Sequence, residues 1–183
     1  GNGAIKKKLM KPNEQINNSV GIIGNVRDWI DCELLEGLIK VREDLHFGFV
    51  GNIEPNMQGF IDDLLMKYNN VEYYGKVTKE SVHEWYMKFN VVLVPYKQNE
   101  FMKATRPIKI VESIFASTPV VTIPISGYEE CSFIRFAKTV NEFSEEINNL
   151  IVNQIDETSR EYIDFLYMNS WDHIAEEILN EFK

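Results

Sequence analysis

Five short runs of almost unbroken apolar residues, at 20–24, 46–51, 71–75, 91–95 and 119–122, constrain this chain more than any other feature. A strand with one wet face alternates apolar and polar residues. A strand covered on both faces does not, and that pattern belongs to parallel sheets. Helical stripes fill the gaps. Ile30, Leu34, Leu35, Leu38 and Ile39 make the first, Phe60, Ile61, Leu64, Leu65 and Tyr68 the second, and Val82, Trp85, Tyr86 and Phe89 the third. Asp28 is the candidate N-cap of the first stripe, with Asp31 three residues later, and Thr78 caps the third. A fourth helix is expected over 107–116, about three turns long. Strands alternating with helices of this length form βαβ units with right-handed crossovers. The predicted fold is therefore α/β, a Rossmann-like doubly wound parallel sheet.

The remainder of the chain reads as additions to that sheet. A short strand is expected near 136–139, followed by a helix carrying Phe143, Ile147, Leu150 and Ile151. A polar stretch at 154–161 separates it from a final amphipathic helix with Trp171, Ile174, Ala175, Ile178 and Leu179. Residues 1–18 are polar and Asn-rich and read as a linker or tag arm, the start Gly1-Asn2-Gly3-Ala4 being a tag remnant. The domain then occupies 19–183, enough chain to bury a real core.

Charge and motif content remove several functions. The net charge of -9, from 28 acidic and 19 basic residues, leaves no basic surplus to neutralise nucleic-acid phosphates. The basic run Lys6-Lys7-Lys8 reads as a solvated tail. Cys32 and Cys131 are too few and too far apart for a disulfide framework or a zinc site, and read as reduced structural thiols. His46, His83 and His173 are scattered without metal-ligand spacing. There is no G-x-S-x-G elbow, P-loop or G-x-G-x-x-G fingerprint. Neither an 18-residue apolar run nor a signal-peptide pattern occurs, so a cytoplasmic location is expected.

In an open parallel sheet, ligands bind beyond the carboxyl ends of the strands. Three of the apolar runs end in glycine, Gly24, Gly51 and Gly75, which favours close backbone approach to a ligand there. The first turn places Arg27 beside a helix N-terminus, where charge and backbone N–H groups together suit a phosphate. The competing role for Arg27 is a surface ion pair with Asp28 or Asp31. Arg106 and Lys109 flank the start of the fourth helix and can add positive charge to the same pocket. Further along it, Glu112 stands among Ile110, Val111, Ile114 and Phe115, a costly place for a carboxylate without donors. Sugar hydroxyls could be those donors, so a ligand carrying both phosphate and sugar fits the pattern.

These residues resemble a known family. The turn Gly24-Asn25-Val26-Arg27-Asp28-Trp29-Ile30-Asp31, and Pro107-Ile108-Lys109-Ile110-Val111-Glu112 followed by Pro119-Val120-Val121, are similar to the C-terminal half of a GT-B glycosyltransferase. The group is the retaining "glycosyl transferases group 1", family four type, which includes bacterial polysaccharide and teichuronic-acid enzymes. There the stretch often reads P-x-K-x-x-E-Y-x-A-x-G-x-P-V-V. Ser170-Trp171-Asp172 and its helix resemble the closing segment that crosses back to the N-terminal domain, and the likeness covers 18–182.

The resemblance implies a single GT-B C-terminal half, with extra C-terminal helices, that binds a UDP- or GDP-type sugar donor for hexosyl transfer. No metal and no cofactor are expected. The acceptor would bind a missing N-terminal domain, and any membrane contact would be peripheral, through the full-length protein. Arg27 would hold the diphosphate and Glu112 the ribose hydroxyls, the two residues on which transfer chemistry depends. Backbone groups at Gly24, Asn25, Thr105, Arg106 and Pro107 would line the phosphates, Lys109 matches the family lysine, and the loop Gly75-Lys76-Val77 would contact the base. The chain departs from the pattern in three places. Ala104 stands where the family has the first acid of an E-x7-E pair, with Glu100 the nearest acid upstream. Glu33 replaces a basic residue of the first helix, and Ser117-Thr118 replaces a glycine turn.

Overall fold

The computed structural model describes residues 15–181; residues 1–14 of the expected arm 1–18, with Lys6-Lys7-Lys8, and the side chain of Ile178 lie outside the described residues. The elements run β1 (Ser19–Ile23), α1 (Cys32–Val41), β2 (His46–Val50), α2 (Pro55–Lys67), β3 (Val71–Tyr73), α3 (Lys79–Lys88) and β4 (Val91–Val94). They continue with α4 (Glu100–Lys103), α5 (Ile108–Phe115), β5 (Val120–Thr122), β6 (Ile134–Phe136), α6 (Val140–Val152), α7 (Arg160–Met168) and α8 (Trp171–Glu181). One six-stranded sheet has the order β3-β2-β1-β4-β5-β6. Every ladder in it is parallel. The order reverses between β1 and β4, the switch point at which such sheets open a crevice.

Every residue of β1, β4 and β5 is buried, as their unbroken apolar sequences require. α1 turns Leu34, Leu35, Leu38 and Ile39 inward and packs against α6. Each such aliphatic side chain contributes roughly 1.5–3 kcal/mol on burial. α3 packs on α5. Phe89, the C-cap of α3, fills the space that two side chains would need, since a Cβ on Gly21 or Gly48 would come within 2.5 Å of its ring.

Several local expectations shift. The N-cap of α1 is Asp31, not Asp28: its carboxylate accepts from the backbone N–H of Leu34 at 3.0 Å. Ile30 consequently lies in the turn and bridges to Tyr96 rather than belonging to the helix. Thr78 is the N-cap of α3 but makes no side-chain capping bond. α5 has 8 residues, just over two turns rather than three, with Pro107 as its N-cap. The one-turn helix α4 precedes it, and the helix α7 lies where the sequence offered only the end of a polar stretch. The last strand comes at Ile134–Phe136, slightly earlier than expected.

Candidate functional site

The three glycines predicted at the strand ends meet one another at the carboxyl edge. The N–H of Gly24 donates to Val50 at 2.8 Å, and that of Gly51 donates to Gly75 at 2.9 Å. Gly51 has φ +132°, and a Cβ there would lie 2.2 Å from the carbonyl oxygen of Gly24. No other residue fits that approach. The loops after β1, β2 and β3 are thereby locked into one rim. On it Asn25 and Lys76 are exposed, whereas Val77 packs against the core.

Lys109 and Glu112 occupy successive turns of α5. The Lys109 side chain reaches into the space beside Gly24, where a Cβ would come 3.2 Å from Nζ. Its Nζ also stands 5.3 Å from the centre of the Tyr96 ring. Burial pushes this ammonium down to about 8, against the opposing pull of Glu112. A cation next to the first turn, held partly out of water, is poised to accept an anion.

Glu112 is exposed, not buried among its apolar neighbours, because its side chain leaves the packed face of the helix. It does have a protein donor: the hydroxyl of Tyr86, on α3, donates to Oε2 at 3.0 Å. Sequence reasoning placed Tyr86 in a core stripe and missed this role, since a partner 26 residues away on another helix leaves no local signal.

Arg27 pairs with neither Asp28 nor Asp31. Its Nε is in an ion pair with Glu54, at the start of α2, and its guanidinium carbon stands 4.5 Å from the centre of the Trp29 ring. The bridge between Val26 and Ile53 brings these two loops together. Arg27 and Lys109 therefore approach the same turn, one from within it and one from α5.

Arg106 goes elsewhere. It donates to Asn169 at 3.1 Å and lies 5.4 Å from the centre of the Tyr128 ring. It lines a cavity of about 350 Å³ with Phe133, Phe165 and Met168. Glu129, Glu130, Glu161 and Asp164 also surround that cavity, so its charge does not favour an anion. Pro107 accepts from the Tyr128 hydroxyl at 3.1 Å, and the Thr105 hydroxyl donates to Met102 at 2.7 Å. This anchors the entrance to α5.

The departures from the family pattern have visible consequences. Ala104 is the exposed C-cap of α4, and Glu100 begins the same short helix. Glu33 lies in the first turn of α1, where it adds negative charge close to the Arg27 turn. Ser117 keeps the backbone turn that glycine would make, with φ +56°. Its N–H donates to Ile114 and that of Thr118 to Ser113, closing α5 with a complete Schellman motif. Both cysteines are free and half-buried, and burial pushes both thiols up. Among the described residues no group of three or more His, Cys, Asp or Glu is placed to hold a metal, and no helix is long and apolar enough to cross a membrane.

Residues 8–153 match the family model described as "Glycosyl transferases group 1". A Bacillus subtilis protein named as a glycosyltransferase of teichuronic acid biosynthesis, TuaH, is 26% identical over 102 residues, 56% of this chain and 25% of its own length. Among solved structures, S. aureus TarM in a complex that includes UDP superposes with a TM-score of 0.68 at 18% identity, covering 97% of this chain and 37% of TarM. HepE of Anabaena with UDP and glucose gives 0.57 at 17%, covering 90% of this chain and 48% of HepE. AviGT4, involved in avilamycin A biosynthesis, gives 0.63 at 16%, covering 91% and 50%. The chain thus spans a quarter of the matched relative and half or less of these three structures. With its parallel sheet and its family match over most of its length, the chain belongs to the glycosyl transferases group 1 family and folds as a Rossmann-like domain of the GT-B type.

Proposed function

We propose that this domain binds a nucleotide-diphosphate sugar, the donor of a sugar-transfer reaction, between the β1–α1 turn and α5. One observation carries the reading: the Lys109 ammonium stands beside Gly24, while Glu112 on the next turn of the same helix presents a carboxylate to the surface. A diphosphate beside Lys109 and Arg27 would leave its ribose near Glu112. The phosphates would also meet backbone groups at Gly24 and Asn25, and near Thr105, Arg106 and Pro107 at the start of α5. The loop Gly75-Lys76-Val77, tied to Gly51, lies on the same rim for the base. As the sugar departs, negative charge grows on the diphosphate, and positive groups already aimed at it lower that barrier. The two UDP-bound neighbours favour UDP over GDP, and the teichuronic-acid relative favours cell-surface polysaccharide as the product. The acceptor would sit on a second domain of the whole enzyme, working at the cytoplasmic side, so this domain alone binds donor without transferring sugar.

A second reading is a scaffold module that keeps the fold without the site, favoured by Ala104 and Glu33 standing where the family has an acid and a base. Calorimetric titration of UDP, GDP and ADP into the wild type and Glu112→Ala separates the two. A donor-binding domain releases heat with one of them and loses affinity in the variant. Silence with all three nucleotides in the wild type would establish the scaffold instead.

A further inference from the structure

We propose that Tyr86 is a positioning residue for the site: its hydroxyl fixes Oε2 of Glu112 so that Oε1 is held ready to accept from the vicinal hydroxyls of a ribose. The proposal rests on the reading of Glu112 as the ribose acceptor. Tyr86 is 1% exposed, and its hydroxyl meets the Glu112 carboxylate at 3.0 Å. Its own backbone is fixed as well, since the Thr118 hydroxyl donates to the Tyr86 carbonyl at 2.8 Å from the turn that follows α5. The donor is thus anchored both to the core and to the helix that carries its acceptor.

Glu112 has the opposite character. A glutamate at the surface samples many rotamers, and ordering one on binding costs side-chain entropy. A bond from a rigid buried phenol removes most of that cost before the ligand arrives. Burial, reinforced by the charge of Glu112, pushes the Tyr86 phenol well above its ordinary range, so the group remains a donor at any working pH. A buried phenol needs an acceptor whatever the function, so the rival to a positioning role is a purely structural one. The two roles differ in what they do to ribose recognition.

The test compares UDP with 2′,3′-dideoxy-UDP, and GDP with its dideoxy analogue, by calorimetry on the wild type, Tyr86→Phe and Glu112→Gln. The expected wild-type preference for the ribose hydroxyls is roughly tenfold or more, the worth of hydrogen bonds to a charged group. Tyr86→Phe keeps the ring and should reduce that preference about threefold to tenfold, with dideoxy affinity unchanged. Ligand-induced shifts in Tm supply the same comparison independently. Equal weakening toward both ligands in Tyr86→Phe would reduce Tyr86 to a structural residue. A preference lost in Glu112→Gln but intact in Tyr86→Phe overturns the positioning role and leaves the ribose reading standing. A preference that survives Glu112→Gln removes the ribose reading itself.

Discussion

Arg27 forms an ion pair with Glu54 across the loops that follow β1 and β2, its guanidinium lying over the ring of Trp29. The carboxylate of Glu54 therefore occupies the partner position that a diphosphate would need. Glu54 is also the N-cap of α2, but its side chain makes no capping bond, so neutralising it costs the helix little. Glu54→Gln is expected to strengthen diphosphate binding by about twofold to fivefold, the worth of a partly exposed pair. Titration at low and high salt checks this, and the gain should shrink as salt rises.

Lys109 predicts a pH dependence of binding. Its ammonium titrates near 8 in the free protein, and a bound diphosphate favours the charged form. Affinity should decline as pH rises through 8, and binding near that pH should take up protons. Titrations in buffers of different ionisation enthalpy read the uptake directly. Lys109→Met should abolish both the uptake and the pH dependence.

The same group makes an opposite prediction for stability. Its folded pKa lies below the ordinary lysine value of 10.5, so between about 8 and 10.5 the unfolded chain binds more protons than the folded one. The contribution of Lys109 is therefore destabilising below 8, and that penalty is relieved as pH climbs to 10.5. Lys109→Met should raise Tm at pH 7 while weakening nucleotide binding. A fall in Tm would show that the stem and the Tyr96 contact outweigh the desolvated charge.

Gly24 and Gly51 should respond differently to alanine. Both have positive φ, +108° and +132°. At Gly24 the added carbon meets the flexible end of Lys109, whereas at Gly51 it strikes backbone at 2.2 Å. Urea denaturation should show Gly24→Ala losing about 1–2 kcal/mol and Gly51→Ala clearly more. Gly24→Ala should also weaken nucleotide binding by displacing the lysine.

The position of the α1 cap is directly testable. Asp31→Ala removes the acceptor for the Leu34 N–H and should cost about 1 kcal/mol. Asp28→Ala, exposed in the preceding turn, should stay within about 0.5 kcal/mol of wild type.

Legibility followed the range of the interaction. β1, β2, β4 and β5 could be read because strands buried on both faces must be apolar throughout, and that demand is written residue by residue. α7 is harder to read, because its stripe of Tyr162, Phe165 and Leu166 is short and follows directly on the polar run at 154–161, with only Tyr162 fully buried. Arg27, Lys109 and Glu112 could be named as polar residues near the expected strand ends, but not their partners. Glu54, Gly24 and Tyr86 all reach them across the sheet edge or from another helix.

The amino-acid sequence alone determined a parallel α/β sheet, glycines at its strand ends, and a helix carrying Lys109 and Glu112 one turn apart. These follow from backbone conformation and side-chain periodicity, which are local. Tertiary structure alone decided that the three glycines interlock, that Arg106 turns away to Asn169, and that Tyr86 holds Glu112. Those outcomes depend on which loops and helices the strand order brings together, and a donor finds its acceptor only after the sheet has formed.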